Sequence, residues 1–311
     1  MNGGKPVRQA RRAVHGVLLL DKPVGLTSNQ ALQRAKRLLR AEKAGHTGTL
    51  DPLADGLLPI CFGAATKFAQ ACLDADKCYR ATLALGERTV SGDRETPVIE
   101  RRPVNVDRAA VDGACRGFVG VIEQLPPMHS ALKKDGKALY DYARAGLEVE
   151  RAPRRVTILR IEVVEFNGQR LVIDVACSKG TYIRALADDI GRTLGCGAHL
   201  AALRRTGAGR LDVRDAVTLE ALEALSEADR DALLRPTDCL LADWPAVRLD
   251  ADDAGRFLSG LRRRIDGNDA AAVRVYAAQP EAFLGSAHIT AGELIADRLL
   301  SPLEVRATIA A

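Results

Sequence analysis

The chain is poor in aromatic residues: one Trp, five Tyr and six Phe supply 4% of its 311 residues. That scarcity argues against a broad base-stacking platform. Any nucleic acid would be held mainly by phosphate and shape, with a few aromatics used locally. Long apolar runs are missing too. Val17-Leu18-Leu19-Leu20 follows a basic N-terminus, but it is far shorter than the ~18 residues of a membrane span. It is also shorter than a signal-peptide core of about 7–15 residues, and Asp21-Lys22-Pro23 closes it. The expectation is a cytoplasmic protein with no membrane-bound part. The seven cysteines contain no Cys-x-x-Cys pair, which predicts reduced, mostly buried thiols. Five scattered histidines give no metal-ligand spacing, and no glycine-rich phosphate loop or nucleotide fingerprint occurs. Neither a metal nor a nucleotide cofactor is expected.

What is present is an ordinary globular composition, 47% apolar and 27% charged, on a length that suits one large or two smaller domains. The net charge of +5 is unevenly placed. Residues 1–60 hold ten Lys/Arg against four Asp/Glu, a surplus of six, which leaves the remainder at about −1. A concentrated basic face suits a polyanion, and a solubilising surface with a basic arm would look the same.

Residues 1–14, with Lys5, Arg8, Arg11 and Arg12, read as a mobile arm. Val17–Leu20 reads as a buried strand, and Ser28 as the cap of a helix over 29–41 whose Ala31, Leu32, Ala35, Leu38 and Leu39 share a face. Arg34, Lys36, Arg37 and Arg40 lie off that stripe as a candidate phosphate-contacting surface. Leu57–Phe62 reads as a strand, 64–73 as a helix and Tyr79–Leu85 as an alternating strand. Residues 86–105 are polar and turn-rich. Helices follow Asp107 and lie near 137–145. Strands 156–166 and 170–177 meet at Asn167-Gly168, a strong hairpin signal. Residues 181–194 read as a helix, 200–205 as a strand and 217–235 as helical. A boundary falls near Asp243-Trp244-Pro245. Beyond it come a short helix at 252–258, a basic triplet Arg262–Arg264, and strands around 273–276 and 283–289. This mixture predicts an α+β fold with a mixed, largely antiparallel sheet flanked by helices, covering 15–243, and a small β-rich domain over 244–311 that is marginal alone.

The stretch from Gly45 to Gly56 lies between two apolar runs and carries three glycines, Gly45, Gly48 and Gly56, which permit sharp turns. Asp51 precedes Pro52, which pushes its backbone toward extended conformations and presents one carboxylate from a stiff loop. An Asp-Pro pair taken alone is more often a helix cap with proline at the first helical position, and such a cap can also face a cleft.

The run from Ala44 to Lys67, containing Gly48-Thr49-Leu50-Asp51-Pro52-Leu53-Ala54-Asp55-Gly56, resembles the signature of the TruB family of tRNA pseudouridine-55 synthases. Further matches are Gly16–Pro23, Lys77-Cys78-Tyr79-Arg80, Pro127–Lys133, Cys177–Arg184 and Cys196–Arg205, all in family order across 16–205. The resemblance implies that Asp51 is catalytic, that Tyr79 faces the target base, and that Arg184 pairs with Asp51. It further implies that Tyr182 lines the pocket, that the Leu203 backbone contacts the base, and that His46 helps hold an opened RNA loop. Lys22 and Lys179, within matched motifs, are further candidate binding residues. Without the resemblance, Tyr79 is an aromatic at a strand start, Arg184 a surface arginine, Leu203 a core leucine and His46 a polar turn residue. One departure is His129, where the family usually has tyrosine. The tail after Trp244 resembles a PUA-type RNA-binding domain, partly by position.

The implied reaction detaches uracil from C1′ of its ribose, turns the base over and rejoins C1′ to C5. It consumes no cofactor. It needs an ionised carboxylate and an enclosure that keeps the detached base. Asp51 could attack C1′, add to C6 or remove the C2′ proton, and the residues leave all three routes open. The implied partner is the T-arm stem-loop of tRNA, gripped by the basic helix and the tail, with the enzyme a monomer needing no other protein. Two other readings stand beside this one: an RNA-binding protein without chemistry, and a glycosidic hydrolase with Asp55 as a second carboxylate.

Overall fold

The computed structural model describes residues 10–309 apart from 131 and 267, so Lys5 and Arg8 of the expected arm lie outside it. The part of that arm that is described is anchored. Arg12 donates from Nε to Leu39 O at 3.1 Å and from Nη1 to Asp231 Oδ2 at 2.7 Å, and Val14 is buried.

In chain order the first strands are β1 (Gly16–Lys22), β2 (Ala44–His46), β3 (Ala54–Phe62), β4 (Lys77–Leu85), β5 (Glu87–Thr89), β6 (Val98–Arg101) and β7 (Gly120–Gln124). After β8 (Lys133–Lys134) and β9 (Lys137–Ala138) come β10 (Arg154–Phe166), β11 (Arg170–Cys177), β12 (Ala198–Ala208), β13 (Leu211–Asp212) and β14 (Val217–Thr218). The helices among them are α1 (Ser28–Leu38), α2 (Ala69–Asp74), α3 (Arg108–Gly117), α4 (Leu139–Arg144), α5 (Ile183–Thr193), α6 (Leu219–Ala224) and α7 (Glu227–Ala232). One sheet runs in the order β14-β1-β3-β12-β4-β11-β10-β7. Only β1–β14 and β3–β12 are parallel, so the sheet is mixed and largely antiparallel, as expected.

Why β1 is apolar without interruption is now visible. Its side chains alternate between two buried faces. Leu18 and Leu20 pack with Ala31, Leu32 and Ala35 of α1, while Val17 and Leu19 face the opposite way. β3 repeats the pattern, with Leu58, Ile60 and Phe62 toward α1 and Leu57 and Cys61 away. A third cluster joins Ala81, Leu83 and Leu85 of β4 to Ile173 and Val175 of β11 and to Leu186 and Ile190 of α5.

What lies on the far face of β1 and β3 is the C-terminal unit. It comprises β15 (Ala246–Leu249), α8 (Ala251–Leu258), β16 (Arg263–Arg264), β17 (Ala270–Ala278), β18 (Glu281–Thr290), β19 (Glu293–Leu299) and α9 (Pro302–Ile309). Its five strands run β15-β17-β18-β19-β16. Phe257, Val273, Leu284 and Leu294 share one apolar cluster with Val17, Leu19, Leu57 and Phe68. The Phe68 and Phe283 rings meet edge to face, 5.1 Å between centroids. A unit of this size gains core by sharing it.

Several local expectations shift. Thr27, not Ser28, caps α1: its side chain accepts from the Gln30 amide, and Gln30 reaches back to the Thr27 amide. The expected helix at 64–73 splits into a 3₁₀ turn, Gly63–Lys67, and α2, with Phe68 turned into the core between them. The helical stretch 217–235 divides at Ser226, whose hydroxyl caps α7.

Candidate active site

No helix follows Asp51. The residue closes a turn, its carbonyl accepting from Ala54 N at 3.1 Å, and β3 begins at Ala54. The cap reading therefore fails, because the chain goes straight into sheet. The loop is pinned from several sides. Ser28 Oγ accepts from Leu50 N at 2.8 Å and donates to Leu50 O at 3.0 Å. Gly25 N donates to Pro52 O at 2.7 Å, and Thr47 N donates to Pro59 O at 3.0 Å. Gly48 takes a φ of +83°, a conformation that costs a side-chain-bearing residue. The Asp51 carboxylate so held is 38% exposed and lines a hollow of about 300 Å³.

Arg184 enters the same hollow from the first turn of α5 and is only 6% exposed. Its Nη2 lies 3.0 Å from Asp51 Oδ2 and donates to the His129 carbonyl at 2.6 Å. On the other side Nη1 lies 3.4 Å from Asp93 Oδ2, and the Asp93 side chain is 4% exposed. Asp93 is itself fixed, its Oδ1 accepting from Ser91 Oγ at 2.6 Å and from Glu95 N at 3.0 Å. A guanidinium so flanked has its fork oriented in advance. The departure at His129 does not disturb this contact, which uses the main chain.

Tyr79, Tyr182 and Leu203 line the hollow with them. Tyr79 stands on β4, half-buried, and burial raises its phenol above the ordinary range, with the Arg205 guanidinium pulling the other way. Leu203 stands on β12, in register with Ala81 of β4 and Ala54 of β3. Tyr182 immediately precedes α5, which starts two residues later than expected. Buried Gln124 holds its backbone from both ends, Oε1 accepting from Tyr182 N at 3.0 Å and Nε2 donating to Tyr182 O at 3.3 Å.

Other candidates lie outside the lining. Lys22 is fully buried and its Nζ donates to Pro23 O and Leu26 O at 2.9 and 2.7 Å, so it is spent on the backbone and does not line the hollow. Burial brings its amine down to about 8. Lys179 is exposed near the rim and pairs with Asp74 at 2.8 Å. His46 is half-buried at the end of β2, with Nδ1 buried and unpartnered among the described residues, and burial lowers its pKa. Asp55 pairs with Arg204 at 3.2 Å and does not line the hollow, so it is poorly placed as a second reacting carboxylate. Among the described residues, no group of three or more His, Cys, Asp or Glu could hold a metal, and no helix is long and apolar enough to cross a membrane.

Sequence reasoning missed Asp93 and Arg205. Asp93 sits in the stretch read only as polar and turn-rich, and the cluster Ser91-Gly92-Asp93 was its one local signal. Arg205 closed a quoted motif, but nothing local says that it turns inward.

Comparisons with known proteins give the family of the chain. Residues 36–183 match the family "TruB family pseudouridylate synthase (N terminal domain)". Residues 184–242 match "tRNA pseudouridylate synthase B C-terminal domain", and 245–300 match "Pseudouridine synthase II TruB, C-terminal". The chain is 56% identical over 309 residues to a tRNA pseudouridine synthase B of Cupriavidus taiwanensis, covering 96% of this chain and 98% of that one. It is 57% identical over 299 residues to that of Burkholderia lata, covering 94% and 92%. Among solved structures it resembles the Cbf5-Nop10-Gar1 complex, with a TM-score of 0.73 at 25% identity over 97% of this chain and 92% of the other. The archaeal box H/ACA Nop10-Cbf5 complex gives 0.70 at 25% over 93% and 86%. By these family matches and relatives, the chain belongs to the TruB family of pseudouridine synthases, which are isomerases.

Proposed function

We propose that this chain isomerises the uridine at position 55 in the T loop of tRNA, with Asp51 acting on a base swung out of the loop. The observation that carries the reading is the Asp51–Arg184 pair at 3.0 Å, inside a hollow that Tyr79, Tyr182 and Leu203 also line. A base within a folded loop must be extruded to reach a carboxylate set in such a hollow. Asp51 then opens the bond between C1′ and N1, with Arg184 fixing its direction. The hollow keeps the detached uracil while it turns. Tyr79 holds the ring and takes the C5 proton after C1′ has joined C5.

The supporting RNA surface is α1. Arg34, Arg37 and the following Lys43 are exposed, and none is in an ion pair among the described residues. The C-terminal unit serves as a second, weaker grip, because several of its arginines already face carboxylates. Affinity for the stem-loop therefore falls with salt. The enzyme acts as a monomer in the cytoplasm and draws on no cofactor.

A tRNA transcript carrying C5-tritiated uridine tests the reading. Isomerisation releases tritium to water and leaves the chain intact. An abasic site would indicate a hydrolase, and binding without either product an RNA-binding protein.

A further inference from the structure

We propose that Arg205 is a positioning residue for the isomerisation, clamping both ends of the segment that presents Asp51 and setting, through its charge, how readily Tyr79 takes the C5 proton. Arg205 is 1% exposed, the largest fully buried side chain of the described residues, and none of their carboxylates pairs with it. Buried charges are normally paired, because leaving water is costly. Here the donors go to main chain instead. Nε donates to Leu57 O at 2.7 Å and Nη2 donates to Gly48 O at 3.0 Å. Gly48 precedes Asp51 in the loop and Leu57 follows it in β3, so a single guanidinium ties down both flanks.

The surrounding glycines make room for this group. A Cβ on Gly48 would sit 3.2 Å from Arg205 Nη1, and one on Gly56 only 2.3 Å from Arg205 O, at a φ of +98°. Gly56 and Tyr79 are the register partners of Arg205 on the two neighbouring strands. Arg205, Tyr79 and Asp51 line one hollow.

Neutral donors could hold two carbonyls without burying a charge. The charge has a use beside Tyr79, its register partner in the same hollow, where burial raises the phenol and the Arg205 guanidinium opposes that effect. In the step concerned, the Tyr79 phenol passes its own proton to water and the resulting phenolate takes the proton from C5. The C5–H electron pair becomes the C5=C6 bond, the N1=C6 pair moves to N1, and N1 takes a proton from water. This inference rests on the isomerase reading above.

The test uses the full-length protein and a T-arm stem-loop carrying either ordinary or C5-deuterated uridine at the target, in single turnovers. The wild type and Arg205→Lys form product at equal rates from the two substrates. Arg205→Lys is about tenfold slower than the wild type, because one donor centre replaces a fork. Arg205→Gln is at least about 100-fold slower, with stem-loop affinity within about threefold, and is slower again on the deuterated substrate, because C5 proton removal now limits the rate. An Arg205→Gln enzyme that is slowed equally on both substrates, or not slowed, overturns the role assigned to the charge. Should Arg205→Gln fail to fold, Arg205→Lys decides, and wild-type speed in it overturns the clamp. A wild type that forms no product would defeat the isomerase reading instead, so the two failures are distinguishable.

Discussion

Arginine is used in opposite ways at the hollow and in the C-terminal unit. Around the hollow, Arg184 and Arg205 are 6% and 1% exposed, and their donors are matched to two carboxylates and to the carbonyls of Gly48, Leu57 and His129. In the C-terminal unit, Arg248 and Glu281 pair at 58% and 60% exposure, and Arg262 and Glu293 at 68% and 37%. Exposed pairs contribute about 0–1 kcal/mol, whereas a buried charge that loses a partner costs about 3–5 kcal/mol. The two guanidinium groups at the hollow are thus buried where chemistry needs fixed geometry. The C-terminal unit is attached instead by apolar contact with the far face of β1 and β3.

That contrast can be broken at either end. The largest effect on stability is expected from Phe257→Ala. Phe257 is fully buried in the shared cluster, and truncation costs about 3–5 kcal/mol. Thermal unfolding should move down accordingly, while turnover well below the transition stays unchanged. Loss of turnover in the folded variant would mean that the unit supports the chemistry directly. Asp93→Asn acts on the other side. Weakening one charged contact to Arg184 is worth about 1.5–3 kcal/mol, so kcat should fall about 10–100-fold with stem-loop affinity retained. A normal kcat would remove Asp93 from the positioning of Arg184.

The smallest effect is a pH dependence. The Lys22 amine has a folded value of about 8, below the ordinary 10.5, with burial as the main cause. Between those values the unfolded chain holds a proton that the folded chain has released. Stability relative to Lys22→Met therefore rises as pH climbs from about 8 to about 10.5. Denaturant midpoints of both proteins at pH 7 and pH 10 measure it, and a constant gap would show that the lysine stays charged when buried.

Strands and turns with local signals were legible. Asn167-Gly168 announced the β10–β11 hairpin, and the apolar run Val17–Leu20 announced a buried strand. Asp51, Tyr79 and Arg184 were legible as motif positions and do share one hollow. Ser28 was misread because Thr27 beside it had a better claim to the cap, which freed the Ser28 hydroxyl to hold Leu50. β19 was missed because charged residues interrupt the alternation at 293–299. The pairing of Asp93 with Arg184 and the carbonyls that Arg205 satisfies could not be read, since each depends on elements far apart in sequence. Long-range pairing of polar groups leaves no periodic trace.

The most direct measurement is tritium release from a T-arm stem-loop with C5-tritiated uridine, comparing the wild type with Asp51→Asn, with binding followed in parallel. With Asp51 as the reacting group, Asp51→Asn releases nothing above background and binds the stem-loop within about threefold of the wild type. Release at a wild-type rate, or binding lost together with release, would contradict it.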